Sequence, residues 1–329
     1  MMMSDFLSLI LQNKTAPQQK GRDQGFTWQW LGEGVLALTP DQGYDKAIVI
    51  SVGIHGNETA PIELLDKIVT DLFSGQIPLT VRLLLVLGNP EAIRQGVRYV
   101  EGDLNRMFLE GWVSFESSAE TARVQQLQQS VTEFFEASDT QAVRYHYDLH
   151  TAIRASLLPT FGLLPQTEHG FDDDFLQSLD ASELDAIVHH QTMGKTFTQF
   201  TTTALHASSC TLELGKALAF GQNDLQQFQA IDCVLRRVIS NQSLPIRQKA
   251  ALRHFKVEYS LLKQSDDFQL FVADDVPNFT EFEQGMLLCT QQHVETRVQH
   301  QREWILFPNP KVKTGLRAGL MLTEMTASS

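Results

Sequence analysis

Cysteine is nearly absent: Cys210, Cys233 and Cys289 are the only three in 329 residues, widely spaced and without a C-x-x-C pair. An odd, scattered set argues against both a disulfide framework and a thiolate zinc site, so all three are expected to be buried thiols. Positive charge is also scarce, with 26 Lys and Arg against 39 Asp and Glu and a formal charge of −13. That balance argues against general attraction to nucleic acid or an anionic membrane, and any anionic ligand then needs a local basic cluster. No apolar run approaches the roughly 20 residues that cross a bilayer, the longest being fragments such as AIVISVGI and LLLVLG. The N-terminal MMMSDFLSLILQNK has no basic leader before its apolar stretch and no small-residue cleavage site after it. A cytoplasmic protein without membrane attachment is the expectation. Internal repeats are lacking too, and QQLQQ at 125–129 reads as a solvated helix face rather than low complexity.

What the chain does have is a hydrophobic content of 43%, enough for a sizeable core, which excludes disorder. The first two thirds alternate short β-branched runs with longer helical patterns, the signature of strands and crossover helices. Strands are expected at 46–53, 81–87, 144–149, 160–164 and 210–214, and their near-continuous apolarity suits a sheet covered on both faces. Helices are expected at 61–73, 119–137, 173–189 and 224–241, the last with Leu225, Phe228, Ile231, Leu235 and Val238 at three- and four-residue spacing. Thr59 is the expected N-cap of the first, with Pro61 just inside it. After SLPIRQ, which reads as a linker, come the short alternating runs HFKVEYSLL, FQLFVA, GMLLCT and EWILFP, indicating a small barrel or sandwich. The fold class is therefore α/β, a mainly parallel but mixed sheet flanked by helices, with a smaller β-rich C-terminal domain; the expected division is 1–245 and 246–329.

The chemistry concentrates at strand exits. GIHGNE at 53–58 places His55 and Glu58 three residues apart directly after the strongest strand, flanked by Gly53 and Gly56, which permit an unusual backbone and close approach. Open α/β sheets bind ligands at that end of their strands. A second H-x-x-E, His300 and Glu303, lies in the polar HVETRVQHQREW stretch with no third ligand nearby, and is read as coincidence. A third ligand for the first pair comes from DLHT, where His150 ends another strand. Two His, one Glu and an open fourth position make the pattern of a catalytic zinc site, one ion per chain, with water completing the coordination. His146 shares strand parity with His150 but lies about 13 Å down the strand at about 3.3 Å per residue, and is assigned to the core. Asp148, one rung below His150, either fixes its tautomer or is a buried structural carboxylate. Amide hydrolysis also needs a carboxylate beside the ion that does not ligate it. Glu213 in the apolar CTLELG is the candidate, since burial would raise its pKa, although an isolated Glu in a strand often faces solvent at an edge. RYVEGDLNRMF at 98–108 adds Arg98, Asn105 and Arg106, two guanidinium forks and an amide suited to carboxylates, against a plainer reading as salt bridges to Glu101 and Asp103.

Taken in order, GIHGNE, RYVEGDLNRMF, DLHTAIR and TLELGKALAFGQND resemble the succinylglutamate desuccinylase and aspartoacylase family, relatives of the zinc carboxypeptidases, over roughly residues 45–245. The β-rich tail is similar in size and texture to that family's second domain, and TLELGKALAFGQN and DLHTAIR look closer to the desuccinylases. The resemblance implies His55, Glu58 and His150 as zinc ligands and Glu213 as the acid/base. It implies Arg98 as the group polarising the amide carbonyl, and Asn105 and Arg106 as holders of a substrate carboxylate. Arg154 and Lys216 are added from position alone, beside a ligand and beside the base. The implied reaction is hydrolysis of N2-succinyl-L-glutamate to succinate and L-glutamate, the last step of the arginine succinyltransferase route. Rival readings are an N-acyl-aspartate deacylase, a carboxypeptidase, or a metal-dependent binding protein for acyl amino acids. The partner is a small molecule; a homo-oligomer is compatible with the sequence, which does not set the oligomeric state.

Overall fold

The computed structural model describes residues 5–152 and 154–325. A short helix α1 (Phe6–Leu11) precedes three antiparallel strands, β1 (Lys20–Asp23), β2 (Phe26–Gly32) and β3 (Val35–Pro40). Alternating elements follow: β4 (Lys46–Val52), α2 (Thr59–Phe73), β5 (Arg82–Leu87), α3 (Pro90–Gln95), α4 (Ala119–Glu136), β6 (Val143–His150) and β7 (Thr160–Leu164). Then come α5 (Asp173–Ala181), β8 (Ala186–His189), α6 (Phe197–Leu205), β9 (Ser208–Leu214) and α7 (Gln229–Ile239). The C-terminal part holds β10 (Arg253–Leu262), β11 (Gln269–Leu270), β12 (Thr280–Glu283), β13 (Leu287–Gln291), β14 (Val294–Arg297), β15 (Arg302–Leu306) and β16 (Arg317–Glu324).

One 13-stranded sheet runs in the order β1-β2-β3-β5-β4-β6-β9-β7-β8-β10-β16-β15-β12, and β11-β13-β14 form a second, small one. Its centre, β5-β4-β6-β9, is parallel, and antiparallel ladders flank that centre at β3-β5 and β7-β9. The strand alternation explains the two layers. Ile48, Ile50 and Val52 of β4 face the core shared with α2, while Ala47 and Val49 face the one shared with α4 and α6. Because both faces are covered, these strands are apolar at nearly every position. The β-rich tail joins the same sheet, since β10 pairs in parallel with β8 and antiparallel with β16.

Several local expectations are corrected. The helix expected at 173–189 ends at Ala181; Glu183 takes a left-handed backbone (φ +58°), and the β-branched AIVH that follows is strand β8. The segment 224–241 opens as a 3-10 turn, Leu225–Phe228, before α7. Thr59 is the first residue of α2 rather than its cap; its hydroxyl donates to the Leu218 carbonyl, and Glu58 occupies the cap position without capping. Strands β1 to β3 were not among the expected elements. Of the thiols, Cys210 and Cys289 are buried and Cys233 half-buried, all free.

Candidate metal centre

The site is made by two strand exits and the turn that follows one of them. β4 stops at Val52, and Gly53 turns the chain with φ +65°, a conformation costly for any residue with a Cβ. At Gly56 a Cβ would come within 2.1 Å of the Ala92 carbonyl carbon in α3, so only glycine lets this turn pack there. The turn delivers His55 and Glu58 to the start of α2, and His150 is the last residue of β6. His55 Nδ1 lies 2.8 Å from Glu58 Oε1, His150 Nδ1 lies 2.9 Å from Glu58 Oε2, and the two Nδ1 atoms are 3.2 Å apart. All three residues are buried, and one ligand atom from each falls within 4.8 Å of the others.

Both imidazoles are held from behind. His55 Nε2 meets Asp103 Oδ1 at 3.0 Å and His150 Nε2 meets Asp148 Oδ2 at 3.0 Å, which leaves the two Nδ1 atoms turned toward Glu58. Such carboxylate-histidine pairs fix ring orientation and tautomer in metal sites. Asp148 accepts from the Ser51 hydroxyl, Ser51 Oγ meets His146 Nε2 at 2.8 Å, and His146 Nδ1 meets Thr201 Oγ1 at 2.9 Å. His146 is thus core, and also a link in a buried polar chain that leads from Thr201 through Ser51 and Asp148 to His150. Burial pushes it down to about 4, so it is neutral.

Burial opposes charge throughout the triad, yet the carboxylates dominate. Glu58 and Asp103 raise His55, Asp148 and Glu58 raise His150, and the two imidazoles hold Glu58 well below the usual carboxylate range. Once a cation displaces the imidazole protons, Glu58, Asp103 and Asp148 leave a strongly negative, desolvated pocket to hold it. Two convergent Nδ1 lone pairs and a carboxylate in such a field suit a divalent cation of zinc's preferences.

Glu213 is set beside this group by the β6-β9 register, which pairs it with His150. It is buried, its Oε2 has no hydrogen-bond partner, and burial, then the charge of Glu58, push it up to about 7. A solvent-facing edge position is excluded, because β9 lies between β6 and β7.

The arginine segment is pinned by a residue that the sequence patterns did not single out. The buried Glu120 carboxylate accepts the backbone N–H groups of Val100, Glu101 and Gly102 and the Asn89 side-chain amide, at 2.6–2.8 Å. Arg98 reaches Glu58 Oε1 at 3.2 Å and Asp103 Oδ2 at 3.6 Å, so it borders the triad. Asn105 is buried, with Oδ1 accepting from the Phe197 N–H, while Arg106 is exposed and donates to the Asn105 carbonyl. Arg154 is engaged elsewhere, its Nη1 donating to the carbonyls of Asp274 and Val276 and so tying the chain after His150 to the C-terminal part. Lys216 is exposed, one residue beyond Gly215. Among the described residues His300 pairs locally with Glu303, itself held by Tyr259 and two backbone N–H groups. Asp103 and Ser51 were legible in part, as an acid among arginines and a hydroxyl inside an apolar strand; Glu120 carried no signal. A separate cavity of about 840 Å³, lined by Lys46, Tyr145, His189, Arg237 and Arg247 among others, contains none of the triad. Among the described residues no helix is long and apolar enough to cross a membrane.

Comparison with known proteins agrees with this geometry. The family model for the succinylglutamate desuccinylase/aspartoacylase catalytic domain matches residues 44–239, and that for the AstE/AspA barrel-sandwich hybrid domain matches residues 250–325. The chain is 53% identical over 327 residues to succinylglutamate desuccinylase of Serratia proteamaculans, covering 99% of each, and 51% identical over 326 residues to that of Yersinia pestis, covering 99% and 98%. A solved succinylglutamate desuccinylase from Vibrio parahaemolyticus superposes with a TM-score of 0.91 at 30% identity, over 98% of this chain and 95% of that one. One from Chromobacterium violaceum gives 0.86 at 37% identity, over 98% of each. With a catalytic-domain model spanning more than half its length and relatives this similar end to end, the chain belongs to the succinylglutamate desuccinylase/aspartoacylase family.

Proposed function

We propose that this protein is a cytoplasmic zinc-dependent hydrolase that cleaves the amide of N2-succinyl-L-glutamate to give succinate and L-glutamate, the closing step of the arginine succinyltransferase route. The chemistry rests on one observation, the unpartnered, buried Glu213 carboxylate standing beside the His55, Glu58 and His150 triad. The choice of substrate rests on the end-to-end similarity to succinylglutamate desuccinylases.

His55, Glu58 and His150 would hold one zinc ion per chain, which would supply Lewis-acid polarisation of the carbonyl and a lowered pKa for water. Glu213 takes the proton from the attacking water and hands it to the departing amide nitrogen, a double duty that a pKa of about 7 suits. Arg98 turns its guanidinium from Glu58 to the carbonyl oxygen as negative charge develops there. Asn105 and Arg106 hold a substrate carboxylate, and Lys216 offers an outer cation. Arg154 braces the His150 exit against the C-terminal part, which walls the cleft and restricts it to small substrates. In this reading the chain divides functionally after residue 245, with every proposed ligand and Glu213 in 1–245.

Hydrolysis of succinylglutamate, acetylaspartate and a C-terminal peptide, compared side by side on zinc-loaded protein, tests the proposal. Succinylglutamate is expected to give the highest kcat/KM. A higher value on either competitor would overturn the substrate assignment, and binding without turnover of any would overturn the assignment as an enzyme.

A further inference from the structure

After Leu214, where β9 ends, the chain runs to Asp224 without helix or strand, and what fastens it lies beside the triad. The first tie is to the exit of His150: the Ala152 N–H donates to the Gly215 carbonyl at 2.8 Å, with Gly215 left-handed at φ +96°. The second is to the exit of Glu58, through Thr59. The buried Thr59 hydroxyl donates to the Leu218 carbonyl and accepts from Asn223 Nδ2 at 2.8 Å, while Asn223 Oδ1 accepts the Leu218 N–H at 2.7 Å. One turn further along the same face of α2, Glu63 Oε1 accepts the Gly221 N–H. The stretch 215–218 is thereby strung between the residue after Glu58 and the second residue after His150.

Two side chains thus satisfy both backbone groups of Leu218 and close a ring of three hydrogen bonds. The Leu218 side chain itself is 52% exposed and Lys216 is exposed, whereas Ala217 and Phe220 pack against the core shared with α2. Pinning the main chain of a residue whose side chain gains little burial fixes the path of the chain. That path carries Lys216, the one cation in 215–223, past the triad.

We propose that Thr59 and Asn223 are positioning residues for substrate binding: their clasp holds 215–218 beside the triad so that Lys216 meets a carboxylate of the anionic substrate. This rests on the proposed function, in which Lys216 is an outer cation, and it adds what fixes that cation in place. A lysine on a free loop loses backbone as well as side-chain freedom when it contacts an anion, and fixing the backbone beforehand removes part of that cost from binding.

The test compares Thr59→Val, which keeps the side-chain shape and deletes the hydroxyl, with Thr59→Ser, which keeps the hydroxyl, and with Asn223→Ala. Each is made in the wild type and in Lys216→Gln, and the zinc-loaded proteins are assayed on succinylglutamate. Thr59→Val and Asn223→Ala are expected to raise KM about 10-fold, with kcat changed by less than about twofold and zinc content unchanged. Thr59→Ser should behave as the wild type does. In Lys216→Gln the same changes should raise KM no further, because the clasp acts through that lysine. A KM effect that adds to that of Lys216→Gln, a loss confined to kcat, a loss of zinc, or no effect overturns the proposal. Should Thr59→Val not fold, Asn223→Ala decides by the same additivity. If the wild-type protein fails to hydrolyse succinylglutamate, the functional reading falls on its own. Titration of the unhydrolysed compound into the same zinc-loaded variants then decides the clasp. A Kd raised by Thr59→Val, unchanged by Thr59→Ser and raised no further in Lys216→Gln supports it, and any other pattern overturns it.

Discussion

His150 and Glu213 stand opposite one another on neighbouring parallel strands, the last residue of β6 against the penultimate residue of β9. Cross-strand partners project from the same face, so this register alone puts a free carboxylate next to an imidazole of the triad. A slip of one residue would bury a leucine there and send Glu213 to the opposite face.

The triad is expected to account for all tightly held metal. His55→Ala, Glu58→Ala and His150→Ala should each reduce zinc from about one per chain to near none, whereas His300→Ala should retain it. Elemental analysis after dialysis checks this, and metal leaving only with the His300 change would move the site to the C-terminal part.

Glu213→Gln removes the acid/base without removing a ligand. Zinc content should be unchanged while kcat falls by about 10²- to 10⁴-fold, the usual contribution of a positioned proton carrier. Full turnover in this variant would refute the role.

Glu213 also sets a pH dependence of stability in the metal-free protein. Its folded pKa, about 7, lies above the ordinary carboxylate value of 4.5, so folded Glu213 holds a proton that the unfolded chain gives up. Its contribution is fully present below pH 4.5, declines above it and is lost as pH rises through 7. Glu213→Gln should accordingly raise Tm more at pH 8 than at pH 4.5, as thermal unfolding at the two pH values will show.

Ser51 and Asp148 act on the metal through His150. Ser51→Ala frees one Asp148 oxygen and Asp148→Asn weakens the hold on His150 Nε2, and each should lower zinc affinity by about 10- to 100-fold. Competition with a chelator of known affinity measures it.

Glu120→Gln leaves one oxygen where two carboxylate oxygens accept four N–H groups. The expected result is about 2 kcal/mol of lost stability, a raised KM from the loosened 98–106 segment, and unchanged zinc. Urea titration, steady-state kinetics and metal analysis separate the three.

Much of this was legible before the chain was folded. The five expected strands all form within two residues of their expected limits, because a strand covered on both faces must be apolar throughout and that leaves a plain mark. The outer parts were harder. TWQW alternates so that Trp28 and Trp30 are buried and Thr27 and Gln29 exposed, but strands β1 to β3 are short and carry no long apolar run, and AIVH directly follows the pattern of a helix that ends at Ala181. A four-residue run reads equally as the end of a helix or as a strand, and only its pairing with β7 and β10 decides which it is.

By itself the sequence determined which residue types stand at strand exits: a His and a Glu after a glycine turn, a His closing a strand, a Glu within an apolar run. These are local properties, written in spacing and composition. Which groups then touch was decided by tertiary structure: Asp103 behind His55, Ser51 between Asp148 and His146, Glu120 beneath the arginine segment. Each of these joins stretches of chain whose separation carries no periodic signal, and their meeting follows from strand order and register in a single continuous sheet.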